Sequence, residues 1–172
     1  DICKKRLKLL NLKNKKADFF YGDAENLSKH KQLKNKKFDL IYSFGVLHHT
    51  PNMKKCFDEI YKVSSKKTEV KIMLYAKNSY KNYMLNLTNY RYEAQKDVII
   101  VHKIDDEFIN ANIKKKFKII SKKQDFIFPY QIKYYKNNIY KKIKHFEHMP
   151  KKIFDRLQKM IGEHLLLKLR KN

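Results

Sequence analysis

Fifteen consecutive residues, Phe38 to Asn52 (FDLIYSFGVLHHTPN), constrain the fold of this chain more than any other stretch. Phe38, Leu40, Ile41, Tyr42 and Phe44 make a short apolar run, which reads as a strand covered on both faces, as in parallel sheets. Gly45 then allows the backbone to turn. Thr50 is a suitable N-cap for a helix opening at Pro51, where a missing N–H and a preset φ cost nothing. The helix that follows carries Met53, Cys56, Phe57, Ile60 and Val63 at offsets of three and four, so one side of it is apolar. In open α/β sheets ligands bind beyond the carboxyl ends of the strands, which here means Ser43 to His49.

The neighbouring segments extend the alternation. Residues 2–12 read as a helix, and Phe19 to Tyr21 as a strand stopped at Gly22, with Asp23 at its carboxyl end. Residues 28–37 cross the surface. Val70 to Tyr75 (VKIMLY) is a second buried strand. Strand, crossover, strand, helix and strand over residues 17–76 predict a parallel sheet with covering helices, an α/β fold. Beyond it, residues 78–91 place Tyr80, Tyr83, Met84, Leu87 and Tyr90 at helical spacing. Residues 98–104 are β-prone, Asp105 caps a short helix reaching Ile113, and Phe117 to Ser121 reads as a strand. The aromatic, lysine-rich stretch 124–148 reads as an insertion within a single domain spanning 1–172. A helix over 151–161 then ends at Gly162 as its C′ residue, before a last strand, HLLLKLR.

Composition bounds the partners. The formal net charge of +24 suits nucleic acid or an anionic surface. The basic residues are nearly all lysine, however, with arginine only at positions 6, 91, 156 and 170, and they are scattered along every segment without forming a stripe. Lysine lacks the bidentate fork of arginine, and a bias toward AT-rich codons produces the same enrichment in Lys, Asn, Ile, Phe and Tyr. A solvated basic surface is therefore preferred over a nucleic-acid interface. Cys3 and Cys56 lack CxxC spacing, which fits a reduced, cytoplasmic protein, and no apolar run approaches the ~20 residues needed to cross a bilayer.

GDAENL (22–27) followed by FDLIYSFGVLHHTPN resembles the middle motifs of class I S-adenosylmethionine-dependent methyltransferases. The resemblance covers residues 1 to about 76, and the closing HLLLKLR more weakly. It implies S-adenosyl-L-methionine as cofactor, with the Asp23 carboxylate accepting from the adenine amino group and the Ala24 N–H donating to a ring nitrogen. Ser43, Phe44 and Leu47 then line the cofactor cleft. Read alone, Asp23 merely ends a strand in a turn and Phe44 is core. His48 and His49 are the candidate catalytic residues, as a general base or a substrate contact; alternatively one packs against the helix and the other is solvated. No metal site is read, since no Cys or acidic residue accompanies the histidine pair at ligand spacing.

Departures from the family pattern shape the remaining expectations. Only three glycines are present, so there is no GxGxG loop for the methionine end of the cofactor. The acidic residue that closes the second strand is also missing, and SSKKTE (64–69) stands where a KPGG-like turn is expected. The family sheet runs 3-2-1-4-5-7-6 with its last strand antiparallel. This chain is accordingly read as an incomplete Rossmann-like methyltransferase sheet, an N-terminally truncated fragment with strands 3 to 7 present and strands 1 and 2 missing. The expected function is methyl transfer to a small-molecule acceptor; the alternatives are a basic RNA-binding module or an RNA methyltransferase. The Phe38 strand should stand at an open sheet edge, with the Phe19 strand either floating or collapsed against it. On this reading Asp23 loses its ligand position, and residues 1–172 alone bind no cofactor.

Overall fold

The computed structural model describes residues 5, 18–87, 100–135 and 137–172. The helix read over 2–12, with Cys3, and the end of the 78–91 helix lie outside them. Five strands form one sheet: β1 (Phe38–Phe44), β2 (Ser64–Ala76), β3 (Lys103–Ile104), β4 (Phe117–Asp125) and β5 (His164–Lys171). Their order is β1-β2-β5-β4, with β3 paired to β2. β1 and β2 run parallel, in register from Leu40 opposite Glu69 to Phe44 opposite Met73. β5 is antiparallel to both β2 and β4, so most of the ladder is antiparallel although β1, β2 and β4 point the same way. This is the expected 4-5-7-6 block with a reversed last strand.

Helix α1 (Met53–Val63) covers one face of the sheet. Met53, Cys56, Phe57, Ile60 and Val63 are all buried, against Val70, Ile72 and Leu74 of β2 and Leu165, Leu167 and Leu169 of β5. The cap is not Thr50 but Asn52, whose side chain accepts from the Lys55 N–H at 3.0 Å. Thr50 instead donates its hydroxyl to the Leu47 carbonyl at 2.8 Å, so the chain turns once more before the helix begins. A short helix starts at Asp106, capped by the Asp105 carboxylate on the Phe108 N–H at 2.9 Å, and continues as a π-turn over Ile109–Ile113. It closes the same core.

Two strand readings change. Phe19 to Tyr21 form no strand: Phe19 and Phe20 are about two-fifths exposed and Tyr21 fully so. Among the described residues no neighbour completes a ladder, and strand propensity alone does not make a strand; Phe20 instead stacks on the His30 ring at 4.7 Å. β1 is not covered on both faces either. Ile41 and Ser43 turn inward, while Leu40, Tyr42 and Phe44 are 53%, 63% and 48% exposed. As an edge strand it has one clad face, and among the described residues no helix covers the other.

Helix α2 (Tyr80–Asn86) is capped by Ser79, and a later long helix, α3 (Lys151–Ile161), packs on β4. Gly162 ends α3 with φ −63°, not in the left-handed conformation expected of a C′ glycine. Glycine is needed there for space, because a Cβ would lie 2.4 Å from the Asp125 carbonyl.

Candidate active site at the carboxyl ends of the strands

Asp23 keeps a defined place without a strand behind it. Its carboxylate accepts from the Glu25 N–H at 2.8 Å and the Asn26 amide at 2.6 Å, starting a 3-10 turn over Ala24–Lys29. The bond to the Glu25 N–H, then that to Asn26, holds its carboxyl below the ordinary aspartate range. Two acids lock this turn to α1. Glu25 accepts from the Asn52 N–H at 2.6 Å, and Glu59 accepts from the Ser28 N–H at 2.7 Å and from Lys62 at 2.7 Å. Burial pushes the Glu59 carboxyl up, but the Lys62 ammonium and the Ser28 N–H prevail and leave it at about 2. Ala24 and Leu27 pack against the main core. The expected floating or collapse of this segment is thus replaced by anchorage on α1, through two glutamates that strand-based reading did not single out.

At the end of β1, Gly45 adopts φ +73°, a conformation that side chains beyond glycine rarely accept. The chain then makes a 3-10 turn over Leu47–His49. Leu47 is core, at 4% exposure, and lies among the residues that seal α1 to the sheet. Ser43 and Phe44 are consecutive in a strand and so point to opposite faces: Ser43 inward, with its hydroxyl lacking a partner among the described residues, and Phe44 onto the open face.

The two histidines part company. His48 is fully buried, its ring 4.0 Å from the Tyr75 ring and 4.2 Å from that of His49, and neither ring nitrogen has a hydrogen-bond partner among the described residues. Burial, with some help from His49, His164 and His102, pushes its pKa down to about 3, so it stays neutral at physiological pH. His49 instead reaches the Ile100 carbonyl through Nδ1 at 3.0 Å. That bond requires the proton on Nδ1 and leaves Nε2 as the basic nitrogen. Residues 100–102 are stitched across this turn, His102 donating its N–H to the His48 carbonyl at 2.8 Å and reaching the Thr50 carbonyl at 3.0 Å through its ring.

Around the pair, strand ends assemble a row of rings that no local motif announces. His164 opens β5, stacks on Phe126 at 4.7 Å, lies edge-on to Phe44 at 5.8 Å and is 6.5 Å from Tyr75. Burial, then the Lys81 charge, lowers its pKa. Beside it Lys81 and Glu163 form an ion pair at 3.0 Å, both side chains nearly inaccessible. These residues come from β1, β2, α2 and β5 and from the positions just after β4 and just before β5, so only the sheet order brings them together.

Comparison with known proteins matches this geometry to a class. The methyltransferase domain family matches residues 1–69. No curated protein matches the chain. Among solved structures, a methyltransferase-like protein of Bacillus halodurans C-125 aligns with a TM-score of 0.55 at 14% identity, covering 97% of this chain and 77% of that one. The N-methyltransferase NodS of Bradyrhizobium japonicum WM9, solved with S-adenosyl-L-homocysteine, gives 0.53 at 10%, covering 98% and 61%. The mitomycin 7-O-methyltransferase MmcR gives 0.55 at 10%, covering 98% and 38%, so the chain spans less than two thirds of the latter two proteins. At such identities the likeness is one of fold. That fold is the Rossmann-like one of the class I S-adenosylmethionine-dependent methyltransferases. The match to the methyltransferase domain family, over residues 1–69, agrees with that fold.

Proposed function

We propose that this chain supplies the adenosine-binding and acceptor-binding half of an S-adenosylmethionine-dependent methyltransferase acting on a small molecule. The observation carrying this reading is the anchored Asp23 turn: a carboxylate and the following N–H groups, held on α1 by Glu25 and Glu59 in a chain segment that matches the family. The Ala24 N–H and the backbone at the end of β1 complete the adenosine side; of the two consecutive side chains there, only Phe44 faces the open side, since Ser43 turns inward, and buried Leu47 supports the turn from beneath. The fit to the cofactor is one-sided. Its adenosine end has counterparts here, whereas its methionine end has none, because glycine occurs only at 22, 45 and 162. No transfer step is therefore assigned to these residues.

When bound, the cofactor supplies an electrophilic methyl group, and the protein's share is orientation and exclusion of water. Of the two candidate bases, His49, whose Nδ1 is held by the Ile100 carbonyl and whose Nε2 is left as the acceptor nitrogen, suits proton removal, whereas neutral, enclosed His48 suits packing. The 124–148 segment, as an insertion in a single domain, provides the acceptor side. The free, buried thiol of Cys56 agrees with a reducing, cytoplasmic setting, and no helix among the described residues is long and apolar enough to cross a membrane.

The test is titration of residues 1–172 with S-adenosyl-L-homocysteine, followed by amide NMR. Weak, millimolar shifts centred on Gly22–Glu25 are expected, with Asp23→Ala weakening binding by ~1–3 kcal/mol. Shifts that ignore Asp23→Ala remove that carboxylate from the site. The RNA-binding alternative predicts instead a steep loss of RNA affinity with added salt and no response to the nucleoside.

A further inference from the structure

A cavity of about 500 Å³ opens between α2 and the 128–144 segment, within the range of small-molecule sites. Its walls are apolar and aromatic, chiefly Tyr80, Met84, Leu85, Phe128, Tyr130 and Ile143. Among the described residues the charges lining it all have one sign: Lys81, Lys133 and Lys144 line it and no carboxylate does. They differ in what they are free to do. Lys81 is neutralised at 3.0 Å by Glu163 and buried with it, so the inner end carries no net charge. Lys133 and Lys144 are exposed at the mouth, and neither pairs with a carboxylate among the described residues.

An aromatic box of this kind would also suit a cation, but a cation is already installed. The Lys81 ammonium lies 5.9 Å from the centre of the Phe128 ring and 5.8 Å from that of Tyr75, and two further lysines guard the entrance. A neutral apolar guest leaves the mouth lysines unused. We infer that the cavity binds a small amphipathic anion, an aromatic or aliphatic acid whose apolar body lies between α2 and the Phe128–Tyr130 strand-like segment while its carboxylate meets Lys133 and Lys144. On the methyl-transfer reading proposed above, on which this role rests, that molecule is the acceptor. Lys81 links the cavity to the strand ends, its ammonium lying 5.8 Å from the Tyr75 ring, which in turn packs on His48.

The probe is 1-anilinonaphthalene-8-sulfonate, an aromatic anion, titrated by fluorescence into residues 1–172, with N-phenyl-1-naphthylamine as its neutral counterpart. Saturable one-to-one binding of the anion is expected. Reversing both exposed lysines, Lys133→Glu with Lys144→Glu, should weaken the anion about tenfold and change the neutral probe by less than about twofold. Met84→Trp, which fills the cavity, should weaken both. An anion affinity untouched by the double reversal, equal losses for both probes, or no saturable binding overturns the inference. Loss of the homocysteine-ligand response with probe binding intact counts against the methyl-transfer reading alone and leaves the cavity assignment standing.

Discussion

The two faces of the sheet are made from the same strands, yet they have opposite fates. On one, Val70, Ile72, Leu74, Leu165, Leu167 and Leu169 are at most 3% exposed beneath α1. On the other, the alternate residues Leu40, Tyr42 and Phe44 stand about half exposed, interleaved with Lys71 and Lys168, which share Glu69. Apolar content alone does not separate the faces, since β1 is as apolar outward as inward. What separates them is whether a following helix folds back with a matching stripe. α1 does so for the inner face because its apolar residues recur every three or four positions.

The largest effect that can break this comparison is Phe57→Ala. The side chain is fully buried between sheet and helix, so its loss should cost ~3–5 kcal/mol in chemical denaturation. A cost near zero would show the clad face to be loosely packed.

A middle-sized effect tests the place where an outward residue, Tyr75, does gain a cover in the His48 ring. The folded pKa of His48, about 3, is depressed below the ordinary 6.5, so below 6.5 the unfolded chain takes up a proton that the native state refuses. Stability should therefore be full above pH 6.5 and fall on acidification toward 3, by ~1.4 kcal/mol per pH unit within that window. Between pH 5 and 6.5 the carboxyl of Glu59, at about 2, contributes little. His48→Phe should flatten the slope there. An unchanged slope would mean that His48 is protonated in the native state.

The smallest effect sharpens the contrast. Tyr42→Ala, on the bare face, should shift stability by no more than about 0.5 kcal/mol, apart from its stacking on Phe44 at 6.0 Å. A loss comparable with that of Phe57→Ala would indicate a cover on that face.

Local periodicity carried much of the fold. The stripe of α1, the Asp105 cap, the helix over 151–161 and the strands at Val70, Phe117 and His164 follow from spacing and capping chemistry, which act within a few residues. The readings that changed were those needing a neighbour. Phe19 to Tyr21 have strand propensity but no partner to pair with among the described residues. Phe38 to Phe44 form a strand as read, but which of its faces is covered depends on chain elements far away. In the site, Asp23 and the Ser43–His49 turn were visible as motifs. His164, Phe126, Lys81 and Glu163 were not, as they belong to separate segments without a shared spacing.

The sequence by itself determined where the chain turns, which side of α1 is apolar, and which family residues 1–69 resemble, because glycine freedom, side-chain period and motif order are local properties. Only the tertiary structure decided that His48 is sealed and His49 is not, that two glutamates anchor the Asp23 turn, and that strand ends gather an aromatic row. Burial and pairing are set by what lies across the sheet, and a linear sequence does not specify that one residue at a time.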